Sequence, residues 1–352
     1  MIQKLINNHE KIIPMERIFK HKDGFLYNGT AITYVFAAYT IGFIGLFNAN
    51  ITINILSALL LGHGMIIGAY LIHECAHNLI FKKIRLNNYM GEIFSWICGS
   101  SYGTYKDIQH KHFRHHVDVD DVVWFDYEDY FENNPLIFKL TQLLEWFYIP
   151  AHEFIMHLLM MFGSFIIPER KSQRRRNSIV IIGRFSAFIC LLVWFPRVAL
   201  FYTFSYIILL TILRFMDSIQ HDYPYNLTLY SKAKPERLGN FDWEQEHTYS
   251  NPHSLEIEPL NWLTLNFGFH NAHHHDMTVP WYRLPKMHRE LFGDGSENVV
   301  PFLAQMKIFH RNRVSRIYDN HNDHSPEGRE YLLAARKAEV SGGNAASFLT
   351  SF

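Results

Sequence analysis

The histidines of this chain fall into short groups whose spacing suits metal ligands. Two histidines enclose the stretch HECAH at 73–77, two groups have the pattern H-x-x-H-H at 112–116 and 270–274, and a further pair joins an aspartate at 217 to a histidine at 221. Residues three or four apart lie on one face of a helix, so each group can direct its side chains toward one ion. The candidate ligands are His73, His77, His112, His115, His116, His221, His270, His273, His274 and Asp217. Imidazole binds iron, zinc, copper and nickel, so ligand type alone does not name the metal, but nine imidazoles are enough for two ions with room for water or oxygen.

The HECAH stretch also has the H-E-x-x-H pattern of zinc proteases, in which the glutamate is a general base. That interpretation needs a third ligand, usually an aspartate inside a later apolar span, and it leaves both H-x-x-H-H groups unexplained. We therefore expect Glu74 to face the outer nitrogen of a metal-bound histidine or to be solvated. Asp118, Asp120 and Asp121 follow the second group and could orient ligands in the same way, or could form a solvated acidic loop.

Five other histidines do not fit the ligand pattern. His110 and His275 adjoin the H-x-x-H-H groups but stand outside their register. His152 and His157 are five residues apart and do not share a helical face, so we expect core or interfacial positions for them. His63 lies inside an apolar run, where a neutral, hydrogen-bonded imidazole is expected.

The composition excludes several classes of function. The 33 basic and 33 acidic residues balance, so no nucleic-acid partner is expected. Cys75, Cys98 and Cys190 are far apart, which argues against a disulfide framework, a zinc ribbon or an iron–sulfur domain. If the reaction needs electrons, another protein must supply them. The first thirty residues are polar and charged, and they show no signal-peptide pattern.

Four apolar runs are long enough to cross a bilayer, which takes about 20 helical residues for about 30 Å. The runs are 31–49, 51–72, 178–196 and 197–215. Short connections at Asn48–Asn50 and at Pro196–Arg197 join them into two hairpins, so both termini lie on one side. The sequence predicts an all-α, multi-pass membrane protein, with four transmembrane helices in two hairpins and a helical cytoplasmic cap that holds a di-metal site.

Basic residues predict the orientation of this domain. Lysines and arginines precede the first run, follow the second at 82–85 and precede the third at 174–176. By the positive-inside rule these segments are cytoplasmic, and all candidate ligands then fall on one membrane face. The expected organisation is a cytoplasmic N-terminal segment at 1–30, the membrane domain at 31–324 and a polar, mobile tail at 325–352.

The order of the three histidine groups resembles the histidine boxes of the membrane fatty acid desaturase and hydroxylase superfamily. The resemblance covers roughly residues 30–300, and the stretch NFGFHNAHHHDMTVPWYRLPKMH at 266–288 is especially similar to bacterial acyl desaturases. In acyl-CoA desaturases of this superfamily, an Asn-x-x-x-His pair after the fourth span completes a di-iron site. Asp217 and His221 occupy the corresponding place, with aspartate instead of asparagine.

This resemblance implies the chemistry as well as the ligands. It implies two non-haem iron ions, O2 as co-substrate, no catalytic residue beyond the metal ligands, and a double bond introduced into a long fatty acyl chain. Electrons would come from a separate ferredoxin-like or cytochrome b-type donor, and the enzyme would lie in a membrane, expected to be the bacterial inner membrane, with its site facing the cytoplasm.

Other functions on the same residues stay open at this point. A hydroxylase or ketolase of a lipid or other hydrophobic substrate would differ only in substrate position. A membrane zinc protease and a non-catalytic metal-binding or transport protein are remote alternatives. Transport would require polar groups along the spans, and the runs contain few beyond His63 and Arg184.

Overall fold

The computed structural model describes residues 18–99, 102–124, 126–223, 227–232, 234–293, 296–317 and 326–342. This part of the chain is helical, apart from a pair of two-residue parallel strands. The helices are α1 Gly24–Gly45, α2 Ile51–Ala76, α3 Ile84–Ile97, α4 Tyr105–Asp118, α5 Tyr127–Asn133, α6 Pro135–Trp146, α7 Ala151–Ile166, α8 Arg174–Trp194, α9 Pro196–Asp217, α10 Phe241–Glu246, α11 His270–His275, α12 Leu284–Phe292, α13 Phe302–Asn312 and α14 Gly328–Arg336. The strands are β1 Val122–Val123 and β2 Leu227–Thr228. The predicted all-α class is confirmed.

Helix α2 is the centre of the bundle, because α1, α3 and α9 all pack against it. Every residue described from Gly64 to Ala76 is buried, as expected of a helix that is apolar on all sides and surrounded by other helices. The contact with α1 is close. A Cβ atom at Gly42 would lie 2.9 Å from backbone atoms of Ser57 and Leu61, so only glycine permits this approach.

Three helical segments of the described chain are long and apolar enough to cross a membrane. They are Ile51–Ala76, Pro168–Trp194 and Pro196–Asp217, and they correspond to the second, third and fourth predicted runs. The surface of α8 is apolar and open, with the side chains of Ile182, Val193 and Trp194 each about two-thirds exposed, at 65%, 67% and 68%. An apolar surface of this extent suits contact with lipid rather than water.

The first predicted run, 31–49, corresponds to α1, which is not among these three segments. Helix α1 begins at Gly24, where the side chain of Asp23 accepts a hydrogen bond from the backbone N–H, and it ends at Gly45. Buried Asn54 in α2 closes the turn that follows, since its Nδ2 donates to the carbonyls of Gly45, Leu46 and Asn48. The run was therefore predicted too late in the chain, because the sequence criterion excluded the polar residues of the first helical turns.

The turns at the far ends of the helices meet each other. Arg197 is the second residue of α9. Its Nη2 donates to the carbonyl of Asn48 over 2.7 Å, and its Nη1 donates to that of Ala49 over 3.3 Å. The α1–α2 turn and the α8–α9 turn thus lie side by side. Since α2 and α9 run away from these turns, the ends of both helices emerge together at the opposite side, where the candidate ligands lie.

Residues 326–342 of the predicted tail contain helix α14. Tyr331 and Leu332 of this helix pack into a buried apolar cluster with Ile219 and Tyr249. The prediction used polarity, but the apolar residues of α14 recur at helical spacing and pack on this cluster. Residues 1–17, 325 and 343–352, which belong to the predicted N-terminal segment and tail, lie outside the described residues.

Candidate metal centre

Four helices bring the candidate histidines together at the C-terminal ends of α2 and α9, the ends predicted to face the cytoplasm. His73 lies in the last turn of α2 and His77 is the first residue after it, whereas His221 follows α9 and pairs with Thr248 in a short antiparallel bridge. Helix α4 carries the second histidine group. It starts at a capping box in which the side chains of Thr104 and Asp107 each accept a hydrogen bond from the other residue's backbone N–H. Helix α11 carries the third group.

The nine histidines form two compact groups. Within each group, one ring nitrogen of each histidine lies within 4.8 Å of the corresponding nitrogens of the others, and every histidine is buried. The first group, here called the five-histidine group, consists of His73, His77, His112, His116 and His273. The second, here called the four-histidine group, consists of His115, His221, His270 and His274. Convergence of this kind places imidazole lone pairs around a common point.

The spacing between nitrogens fits coordination of one ion per group. With a metal–nitrogen bond of about 2.0–2.1 Å, neighbouring ligands are about 3 Å apart and opposite ligands about 4 Å apart. In the five-histidine group, Nε2 of His273 lies 3.1 Å from Nε2 of His73 and 3.2 Å from Nε2 of His116. In the four-histidine group, Nε2 of His221 lies 2.8 Å from that of His270 and 3.2 Å from that of His115. The residues present therefore fit a pair of metal ions.

Burial keeps the imidazoles in the form that binds metal. It lowers the pKa of His115 to about 3. Burial, aided by neighbouring histidines, also lowers the pKa well below the ordinary value for His77, His112, His221, His270, His273 and His274. A neutral imidazole has a lone pair on one nitrogen, so at neutral pH an ion would not have to displace protons from these rings.

The outer nitrogens of several ligands face hydrogen-bond acceptors, which fixes the orientation of the rings. Nδ1 of His115 donates to the carbonyl of Asp120 over 3.1 Å and lies 3.5 Å from a carboxylate oxygen of Asp121. Nδ1 of His221 lies 3.3 Å from the hydroxyl oxygen of Thr248. Two of the three aspartates after the second group therefore face a ligand, while Asp118 pairs with Arg114 instead.

Glu74 takes the position expected of an orienting group. Its Oε1 lies 3.6 Å from the outer nitrogen of His73, and its Oε2 accepts a hydrogen bond from the backbone N–H of Trp281. Both oxygens are thus directed away from the point on which the Nε2 atoms converge. Glu74 therefore does not occupy the position that the general base of a zinc protease requires.

Asp217 is the last residue of α9 and belongs to neither histidine group, and its role as a ligand stays a prediction. Its electrostatic neighbours are Lys111 and Asp121. Burial lowers the pKa of the Lys111 amine to about 8, and the carboxylates of Glu153, Asp121 and Asp217 oppose this shift. The carboxylate of Asp217 therefore lies among charged groups beside the centre.

The histidines that did not fit the ligand pattern lie outside both groups. His110 and His275 are exposed, and His152 and His157 are buried in α7. The Nε2 of His63 donates to the carbonyl of Leu263 over 3.1 Å, which confirms the expected hydrogen-bonded state.

Sequence reasoning missed Glu244. It lies in α10 and accepts a hydrogen bond from Nδ1 of His274 over 2.7 Å, while a distance of 3.8 Å separates it from Nδ1 of His116. No spacing rule links position 244 to the histidine groups. Only the packing of α10 against α11 places its carboxylate there.

A family model described as "Fatty acid desaturase" matches residues 50–305. The chain belongs to the fatty acid desaturase family. The match contains all nine histidines of the two groups, whereas α1 and α14 lie outside it. No curated protein matches the chain. Desaturase-family membership and the two histidine groups together indicate a membrane oxidoreductase with a two-metal site, which confirms the resemblance drawn from the sequence; its bacterial character stays a prediction.

Proposed function

We propose that this desaturase-family protein uses O2 and two non-haem iron ions to introduce a double bond into a long fatty acyl chain. The observation that carries the proposal is that the five-histidine group and the four-histidine group adjoin each other. His115 and His116 are consecutive residues of α4 but belong to different groups, so the two ions would be held close together.

Bound iron would supply the oxidation of an unactivated C–H bond by O2. The substrate loses two hydrogen atoms and O2 is reduced to two water molecules, which takes two further electrons and two protons from outside the substrate. The described cysteines are free, and the chain offers no electron carrier of its own among them. We therefore propose a separate ferredoxin-like or cytochrome b-type donor.

The protein's own residues hold the ions and exclude water. Carboxylates near the outer nitrogens favour the tautomer that leaves Nε2 free for the metal. The Phe267 ring packs against His73 at 5.3 Å between ring centres and against Tyr70 at 4.8 Å, so this side of the centre is apolar. Exclusion of water strengthens the interactions in the site and suppresses side reactions of the oxidant.

We also propose four membrane spans in two hairpins, with the site on the cytoplasmic side of a bacterial inner membrane. Support comes from the packing of α1 along α2 and from the contact between the two far turns through Arg197. Lys82, Lys83 and Arg85 follow α2 directly, and α8 begins with three arginines, as the positive-inside rule requires.

The test is mass spectrometry of total lipid from cells that express the wild type, a His112→Ala, His115→Ala double variant, or a His110→Ala control. His110 belongs to the same helix as the two ligands but is exposed and outside both groups. We expect the wild type and the control to yield an acyl product two hydrogens lighter than the substrate, and the double variant to yield none.

Product mass distinguishes this function from its alternatives. A product with one added oxygen would replace desaturase by hydroxylase, and a gain of one oxygen with loss of two hydrogens would indicate a ketolase. A wild type that holds two iron ions per chain but changes no lipid would contradict the proposed substrate class.

A further inference from the structure

Glu244 lies between one histidine of each metal group. Its Oε1 is 2.7 Å from Nδ1 of His274, in the four-histidine group, and 3.8 Å from Nδ1 of His116, in the five-histidine group. The residue is buried, with 7% of its surface exposed. Glu74 and Asp121, in contrast, each lie near the outer nitrogen of one histidine. One carboxylate oxygen thus faces both halves of the centre.

Glu244, His116 and His274 lie close enough together to hold an ion of their own, but the directions of the two rings favour Glu244 as a hydrogen-bond acceptor. Nε2 of His116 lies 3.2 Å from Nε2 of His273 inside its group, and Nε2 of His274 is buried without a hydrogen-bond partner among the described residues. Each ring therefore directs Nε2 to its metal group. A neutral imidazole that uses one nitrogen as a ligand carries a proton on the other. Nδ1 of His274 donates this proton to Glu244, whereas Nδ1 of His116, at 3.8 Å, faces the same carboxylate beyond hydrogen-bond distance.

Helix α10 is fixed well enough to hold this carboxylate in place. The side chain of Asn240 caps its first turn by accepting from the backbone N–H of Trp243, whose ring stacks on that of His247 at 3.8 Å. The carbonyl of Glu244 accepts from the hydroxyl of Thr248 over 2.7 Å, and the same hydroxyl oxygen faces Nδ1 of His221. Residues 244–248 therefore orient three ligands.

We propose that Glu244 is a positioning residue shared by the two metal groups, and that its carboxylate makes retention of one ion depend on retention of the other. This inference rests on the metal site of the proposed function but not on its substrate. Loss of the carboxylate removes the hydrogen-bond acceptor of His274 and the carboxylate oxygen that faces Nδ1 of His116. The His274 ring then has more rotational freedom and the His116 ring loses an electrostatic neighbour, so both ions are bound more weakly.

The experiment compares Glu244→Gln and Glu244→Ala with a Glu246→Gln control in the full chain. Glu246 lies in the same helix but is exposed. Purified protein is loaded with Fe(II), metal content per chain is measured, and release to a chelator is followed. Loss of a partner to a metal-bound histidine typically costs 10–100-fold in metal affinity, so we expect a loss of this size in Glu244→Ala for both ions.

Glutamine at 244 keeps an oxygen that can accept from His274 but loses the negative charge. We therefore expect a smaller loss of affinity in Glu244→Gln than in Glu244→Ala, and wild-type behaviour in the control. The melting temperature of the metal-free protein separates positioning from folding. The melting temperature without metal should be the same in all four proteins. The increase in melting temperature on adding Fe(II) should be smaller in the two Glu244 variants.

Several results would overturn the inference. These are wild-type metal retention in Glu244→Ala, loss of one ion with normal retention of the other, a third ion per wild-type chain that disappears with Glu244, or a lower melting temperature of the metal-free variants. A wild type that makes no unsaturated product but shows the expected dependence on Glu244 would overturn the proposed function and leave this inference standing.

Discussion

Each H-x-x-H-H group divides its histidines between the two metal groups. In α4 the outer pair, His112 and His116, joins the five-histidine group, while His115 joins the other. In α11 the outer pair joins the four-histidine group, and the middle histidine joins the five-histidine group. Residues four apart nearly coincide in direction around a helix, whereas adjacent residues point about 100° apart, so the third histidine of each group can face the other ion. Neither metal site is complete without both helices.

Asp217 provides a test of the ligand set at this scale. Because it lies outside both groups, we expect Asp217→Asn to bind as much iron per chain as the wild type, whereas His221→Ala should lose iron from the four-histidine group. Iron content of the purified proteins, measured after identical loading, distinguishes the two. A comparable loss in both variants would restore Asp217 to the ligands.

Buried His157 should make stability depend on pH. Burial lowers the pKa of this side chain from 6.5 to about 4, while Nδ1 donates to the carbonyl of Glu153. Between pH 6.5 and 4 the unfolded chain binds the proton and the folded chain does not, so stability is full above pH 6.5 and falls as the pH drops to 4. The loss over this range is about 3 kcal/mol.

His157→Asn removes this titration while retaining an N–H donor. Unfolding of both proteins in detergent should therefore give profiles that converge from pH 7 to pH 4, because the wild type loses more stability than the variant. Other titrating groups are common to the two proteins and cancel. Parallel profiles would show that His157 does not contribute to the pH dependence.

At the scale of elements, helix α14 packs against the segments that hold His221 and its hydrogen-bond partner. Tyr331 and Leu332 of α14 pack on Ile219 and Tyr249. Ile219 lies two residues before His221, and Tyr249 follows Thr248, which faces the outer nitrogen of His221. The helix thus stabilises the segments that carry one ligand and its hydrogen-bond partner, although α14 itself contributes no ligand.

Leu332 and Leu333 are a matched pair of residues with which to test the packing of α14. Leu332 is buried and Leu333 is half-exposed. We expect Leu332→Ala to lower the free energy of unfolding by about 2–5 kcal/mol, since it leaves a cavity, and Leu333→Ala to change it by less than about 0.5 kcal/mol. Chemical unfolding in detergent measures both. Equal effects would mean that α14 does not pack as described.

At the scale of the whole molecule, the metal groups and the helix turns lie at opposite ends of α2 and α9. The nine histidines lie in or just after the last turns of these helices, in α4 or in α11. The two turns linked by Arg197 lie at the far end. Such polarity suits a protein whose substrate chain lies in the bilayer and whose electron donor approaches from one aqueous side.

This arrangement predicts the membrane orientation. Alkaline phosphatase, which is active only outside the cytoplasm, should be active when inserted at Asn48 and inactive when fused after Phe352. A fluorescent protein that folds only in the cytoplasm should show the reverse. Activity of phosphatase at both positions would contradict an even number of spans.

Spacing and composition identified the helical class, three segments long and apolar enough to span a membrane, and the nine histidines, because these depend on local periodicity and on residue type. The desaturase family followed from the resemblance of the histidine groups to known histidine boxes. Spacing and composition did not reveal which histidine joins which metal group, since that depends on the relative rotation of α4 and α11. Nor did they place Asp217 outside both histidine groups, Glu244 beside one histidine of each group, or α14 against the segment that carries His221. Each of these contacts joins residues far apart in the chain, and only tertiary packing sets the distance between them.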